Sequence, residues 1–180
     1  MSRRNDVRDA MLAAVPSLRA FAISLCGNVD RADDLVQETL LRAWANLSSF
    51  QPETNMSAWL FTILRNLFRS EYRKRRREVE DPDGSYAESL TSLPDQSSRL
   101  EIGEFREALK LLPPEQRESL ILVGASGFSY EEAAKICGCA VGTIKSRVNR
   151  ARRKLAEILS IESVGDFGPD RETRAVVNSS

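Results

Sequence analysis

The sequence predicts an all-α protein: two small helical domains joined by a flexible acidic linker. Three observations predict it. Apolar residues recur at steps of three and four in two separate blocks, as one face of a helix requires. Strand signals are few. Charge is segregated: Arg65–Arg77 holds seven basic residues against Glu71, and Lys145–Lys154 holds six and no acid. Between them, Glu78–Glu107 carries nine acids against Arg99 and Arg106.

A chain of 180 residues is long enough for two small cores, and 42% apolar with 29% charged residues is ordinary for a folded protein. Net charge is zero, so the arrangement of charge carries the information. Two basic surfaces on either side of an acidic spacer can meet a polyanion at two places. The plainer reading, solvated helix faces, fits one such block better than two of different architecture.

The first helical face runs from Val15 to Leu25 through Leu18, Phe21 and Ala22, with Pro16 as a first-turn proline and Gly27-Asn28 as its end. Asp30 stands at an N-cap position with Asp33 as an imperfect capping-box partner. The helix it opens runs to about Leu47, with Val36, Leu40, Ala43 and Leu47 on one face. Phe50 to Asn55 is a loop by composition, and Asn55 caps a third helix from Met56 to about Arg77. Its apolar stripe reads as Trp59, Ile63, Leu67 and Phe68, and its second half is nearly all cationic. Cations in the last turns also suit the helix dipole.

Asp, Ser, Pro and Gly dominate from Glu78 to Ser98, the composition of a linker. A second block starts near Leu100, with Phe105, Leu109 and Leu112 facing a core until Pro113-Pro114 breaks the helix. Glu115–Val123 continues, ended by Gly124 or Gly127. Ser129 and Glu132 then have capping-box spacing for a short helix that stops at Gly138. A three-residue turn leads into a last helix, Val141 to about Leu159. A short helix, a tight glycine-containing turn and a basic helix form a helix-turn-helix signature.

Two constellations carry chemistry. On the last helix, Ile144, Val148, Ala151 and Leu155 point inward, which leaves Lys145, Ser146, Asn149, Arg150 and Arg153 outward. Arg and Lys suit guanine O6/N7, Asn suits adenine, and each good bidentate pair contributes ~1–3 kcal/mol of discrimination. Ser129-Tyr130, opening the preceding helix, offers free backbone N–H groups to a phosphate. On the third helix, Trp59, Phe61, Phe68 and Tyr72 interleave with Arg65, Asn66, Arg69 and Arg73, the composition that holds single strands by stacking and phosphate attraction. Trp59 and Phe68 also serve as core, so the polar members and the preceding loop carry the reading.

No catalytic, cofactor or metal site is expected. There is no histidine, no nucleophile–base pair and no phosphate-cradling glycine loop. Cys137-Gly-Cys139 lacks the further ligands a zinc site needs, so the three cysteines read as small core thiols in a reducing cytoplasm. No apolar run approaches the ~20 residues of a membrane crossing.

Three segments resemble the bacterial extracytoplasmic-function sigma factors, group IV of the sigma-70 family. They are Asp33-Asp34-Leu35-Val36-Gln37-Glu38-Thr39-Leu40-Leu41-Arg42-Ala43-Trp44, Trp59-Leu60-Phe61-Thr62-Ile63-Leu64-Arg65-Asn66 and Val141-Gly142-Thr143-Ile144-Lys145-Ser146-Arg147. The resemblance spans Val15 to Leu159 and implies a promoter-specific transcription initiation factor for RNA polymerase. It implies a region 2 domain over 10–77 that binds polymerase core and the −10 element, and an acidic linker over 78–99 threaded toward the polymerase active centre. A region 4 helix-turn-helix domain over 100–160 binds the −35 element, and the tail 161–180 reads as disordered.

The resemblance assigns Asp34, Gln37, Glu38, Leu41 and Trp44 to the clamp helices of the largest polymerase subunit; the residues alone would make Leu41 and Trp44 core. It assigns Phe50, Asn55, Arg65, Asn66, Arg69 and Arg73 to a flipped −10 base and its strand. It assigns Ser129, Tyr130, Thr143, Lys145, Ser146, Arg147, Asn149 and Arg150 to −35 DNA. Further likeness in Asn55–Trp59, Arg73–Asp81 and Leu122–Ala134 is to the general-stress-response sigma factors of alphaproteobacteria. That subgroup implies a small helical anti-sigma factor clamping both domains, itself sequestered by a response regulator with a sigma-like domain. Ala140 departs from relatives that carry a capping serine, at ~1 kcal/mol. An autonomous helix-turn-helix regulator is the main alternative, and a sigma-like decoy another. The first would bind duplex strongly without polymerase; the second has no use for Lys145, Asn149 and Arg150.

Overall fold

The computed structural model describes residues 2–51, 54–78 and 98–160. The expected linker, apart from its ends, and the expected disordered tail lie outside these residues. Among the described residues there are seven α-helices, one 3-10 turn and no strand.

Helix α1 (Ser2–Cys26) starts well before Val15 and carries Pro16 inside it, so Pro16 is not the first-turn residue that the sequence reading expects. Leu18, Phe21 and Ala22 are fully buried, and that packing decides the helix's course across a residue whose missing N–H removes one rung. Its stretch Asp6–Cys26 is, against the sequence expectation, long and apolar enough to meet the composition of a membrane span. Its fully buried face makes it a core helix here. Gly27, at φ 68°, turns the chain out of it.

Helix α2 (Val29–Ala45) is capped by Asn28, whose side chain accepts from the Arg31 N–H; Asp30, the expected cap, lies in the first turn. Ala32, Leu35, Val36, Thr39 and Ala43 are buried, while Leu40 and Leu47 sit half-exposed at the edge of that face. A 3-10 turn (Leu47–Ser49) follows, then helix α3 (Met56–Glu78), whose Asn55 Oδ1 accepts from the N–H groups of Ser57 and Ala58. The buried stripe of α3 is Leu60, Phe61, Leu64 and Leu67, and Trp59, Ile63 and Phe68 are only half-buried. Apart from Leu67, the buried residues thus sit about one position from the expected stripe, on a helix that packs against α1, α2 and α6.

Helix α4 (Ser98–Lys110) and helix α5 (Pro114–Gly124) are separated by the expected Pro113-Pro114 break. Helix α6 (Tyr130–Cys137) has the predicted capping box: Ser129 accepts from the Glu132 N–H, and Glu132 accepts from the Ser129 N–H. Gly138, at φ 63°, ends it in the left-handed conformation that glycine adopts without strain. Helix α7 (Val141–Ile158) starts at Ala140 with no side-chain cap, and its Ile144, Val148, Ala151 and Leu155 are fully buried as expected.

Two cores result. The larger joins α1, α2 and α3 to the α5–α6–α7 unit, and Phe61 is central to it, stacked 5.0 Å from Phe21 and edge-on 4.8 Å from Phe128. The smaller has Ala108, Leu112, Ala151 and Leu155 at its centre, with Phe105 and Leu109 packed against it. Burying a large apolar side chain stabilises by about 1.5–3 kcal/mol. Of the cysteines Cys137 is fully in the core, and burial pushes it up to about 12; Cys26 and Cys139 are half-buried and pack against that core.

Candidate nucleic-acid interface

Helix α2 turns one face to the core and presents Asp34, Gln37, Leu41 and Trp44 on the other. Glu38 lies between them, half-exposed and holding Arg42 at 2.6 Å. The i, i+3, i+4 spacing puts these side chains on one stripe. Leu41 is 60% exposed and Trp44 46% exposed, so neither is the core residue that its apolar character alone suggests. Leu40, on the face that periodicity assigns, is half-buried. A polar stripe with two large apolar side chains standing in solvent has the composition of a surface that a partner could cover.

Between α2 and α3 runs a groove of about 880 Å³. Asp34, Glu38 and Arg42 line one wall, and Asn66 and Arg73 the other. Asn66, Arg69 and Arg73 are exposed along α3, one helical turn after another. Phe50 is half-buried, its ring 5.1 Å from Trp59, which fixes the loop against the helix.

Arg65 does not belong to this exposed row, contrary to the sequence expectation. It is 4% exposed, and its Nε lies 2.5 Å from the Glu118 carboxylate of α5, itself 5% exposed. Asn55 is exposed, but besides capping α3 it donates from Nδ2 to Glu132 at 2.8 Å. Glu132 therefore accepts from the Ser129 N–H and from Asn55, and those bonds hold its carboxyl below the ordinary 4.5. The sequence has no local signal for either pairing, because the partners are 53 and 77 residues apart.

On α7, Lys145, Asn149 and Arg150 are exposed above the four fully buried residues. Thr143, Ser146 and Arg147 are half-buried, and Arg147 points back to the α6–α7 turn, 3.9 Å from the Cys139 sulfur. Ser129 is exposed, but its side chain and its N–H are engaged in the capping box, so its N–H is not the free phosphate donor that the sequence reading expects. The Tyr130 side chain is buried, at 5% exposure, and the sequence reading asks only its backbone N–H to face a phosphate. Its ring lies under the Lys145 ammonium, 5.5 Å away, and steadies that cation by a cation–π contact. No cluster of metal-ligating side chains occurs among the described residues.

The model of sigma-70 region 2 matches residues 11–78, and that of sigma-70 region 4 matches residues 102–155. The chain is 71% identical over 177 residues, 98% of each chain, to the ECF RNA polymerase sigma factor EcfG of Rhodopseudomonas palustris. Among solved structures it resembles the sigma factor RpoE of Bartonella quintana, crystallised with the anti-sigma factor NepR. That match has TM-score 0.80 and 55% identity, covering 88% of this chain and 99% of that one. It also resembles CnrH bound to the cytosolic domain of CnrY (TM-score 0.67, 28% identity, 90% and 92% covered). The anti-anti-sigma factor PhyR of Bartonella quintana, solved with NepR, shares the fold at 19% identity (TM-score 0.55, 83% and 49% covered).

Proposed function

The chain belongs to the sigma-70 family of RNA polymerase sigma factors, in its extracytoplasmic-function branch, and on that premise we propose how its surfaces divide the work. It has no catalytic step of its own. The α2 stripe of Asp34, Gln37, Glu38, Leu41 and Trp44 docks on the clamp helices of the polymerase largest subunit. The loop from Phe50 and the exposed α3 row Asn66, Arg69 and Arg73 hold the unpaired −10 strand, joined by Asn55 and Arg65 once these are released. Lys145, Asn149 and Arg150 read the −35 duplex from the major groove, with Thr143, Ser146, Arg147 and the start of α6 beside them.

The observation that carries the reading is the exposed Leu41 and Trp44 beside three polar side chains on α2. A regulator acting alone has no need of such a stripe; a subunit of a larger machine does. The domains run over 10–77 and 100–160, with the acidic segment 78–99 passing toward the polymerase active centre.

The likeness to EcfG, and to RpoE captured with NepR, supports a cytoplasmic general-stress-response factor. It is held by a small helical anti-sigma factor, which a sigma-like response regulator removes. Reconstitution with polymerase core tests this. Core plus the chain starts RNA at defined promoters, and core alone does not. Alanine at Asp34, Gln37 and Glu38 lowers core affinity and leaves the helical circular dichroism unchanged. If those substitutions unfold the protein, the stripe is structural and the docking assignment fails.

A further inference from the structure

We propose that the free chain is self-closed: α5 and α6 cover part of the α3 face, and a buried Arg65–Glu118 ion pair is the latch. The inference rests on the reading of α3 as the strand-holding helix and adds to it an intrinsic off state.

Three contacts make the closure, and all are internal to this chain. Arg65 pairs with Glu118 at 2.5 Å, both nearly inaccessible; Asn55 donates to Glu132 at 2.8 Å; and the Phe61 ring meets Phe128 edge-on at 4.8 Å. In each, the first residue lies on or caps α3 and the second belongs to the helix-turn-helix half. Arg65 and Asn55 cannot hold a nucleotide while they hold Glu118 and Glu132. Closure is selective, since Asn66, Arg69 and Arg73 stay exposed, as do Lys145, Asn149 and Arg150 on α7.

The chemistry of the latch suits opening. A buried ion pair adds little net stability over apolar residues of the same shape, because desolvating both charges offsets their attraction. When the halves separate, both ions regain water, so the interface parts at lower cost than an all-apolar one. Removing only one partner is different: it strands an uncompensated charge in the closed state and drives the equilibrium open.

The test uses the full-length chain. Phenylglyoxal modification followed by mass spectrometry gives the reactivity of each arginine, small-angle scattering gives the radius of gyration, and a fluorescein-labelled mixed-sequence single-stranded DNA reports strand binding. In the unmodified chain, Arg65 reacts at least about tenfold more slowly than Arg69 and Arg73, because it reacts only from the open state. In Glu118→Ala, Arg65 reactivity rises by about tenfold or more, the radius of gyration increases, and the DNA binds correspondingly tighter. The double variant Arg65→Glu with Glu118→Arg regains the compact radius. Arg65 as reactive as Arg69 in the unmodified chain overturns the closure whether or not any variant folds. So does an unchanged radius in a Glu118→Ala variant that keeps its helical circular dichroism. An expanded Glu118→Ala chain with unchanged DNA affinity overturns the occlusion, and with it the assignment of Arg65 to the strand, while leaving α2 docking intact.

Discussion

Helices α3 and α7 are both long, basic and amphipathic, yet the structure treats their cations in opposite ways. On α7 the cationic face looks outward because one regular stripe, Ile144, Val148, Ala151 and Leu155, with Ala156 beside it, carries the buried contacts. On α3 the helix packs against α1 and α2 and also meets α6, so burial spreads around more of its circumference and takes in Arg65. A helix whose neighbours all meet one narrow stripe, as α4, α5 and α6 do on α7, keeps the face its periodicity assigns. A central helix gives part of its polar face to whatever else touches it.

Breaking the scaffold on either side gives the largest effect. Ile144→Ala and Leu64→Ala each remove a fully buried side chain and should cost about 2–5 kcal/mol, read as a fall in urea midpoint. If α7 packs through one stripe and α3 through several, Leu64→Ala should also disturb residues of the other half in amide-exchange spectra, and Ile144→Ala less so. Equal disturbance would contradict the contrast.

The next effect separates reading from holding. Arg150→Ala and Lys145→Ala should lower promoter selectivity by ~1–3 kcal/mol in a template-competition transcription assay without changing the melting temperature. Arg69→Ala should weaken single-strand binding uniformly across sequences and reduce its salt dependence. Unchanged preference after both α7 substitutions would remove α7 from the readers.

Smaller effects concern helix starts. Ala140→Ser supplies the cap that α7 lacks and should stabilise by roughly 0.5–1 kcal/mol in thermal melts. Glu132 gives a pH-dependent counterpart. Its carboxyl titrates below the ordinary 4.5, so its contribution to the α6 cap and to Asn55 is complete above that value. It is lost as pH falls through the lowered pKa. Melting of the unmodified chain should therefore drop in that acid window by more than melting of Glu132→Gln, whose amide does not titrate.

Much of this was legible before any coordinates. The Ser129–Glu132 box, the Gly138 stop, the Asn55 cap and the α7 stripe are local patterns whose partners lie within a few residues, and each stands as expected. The misses are of another kind. Asn28 displaced Asp30 as the α2 cap, a choice between neighbours that local composition leaves open. Pro16 went into a helix interior because packing of Leu18, Phe21 and Ala22 outweighs one missing backbone bond. Leu41 and Trp44 read as core by hydrophobicity but stand exposed, and only the family resemblance separated them from Leu35 and Val36.

The sequence by itself determined the helices, their caps and the segregation of charge, because those depend on interactions within a turn or two of the chain. Tertiary structure alone decided that Arg65 meets Glu118, that Asn55 meets Glu132 and that Tyr130 lies beneath Lys145. The physical reason is desolvation. Whether a cation on a helix faces water or is sealed against a carboxylate depends on what packs over it, and that partner can come from a segment dozens of residues away.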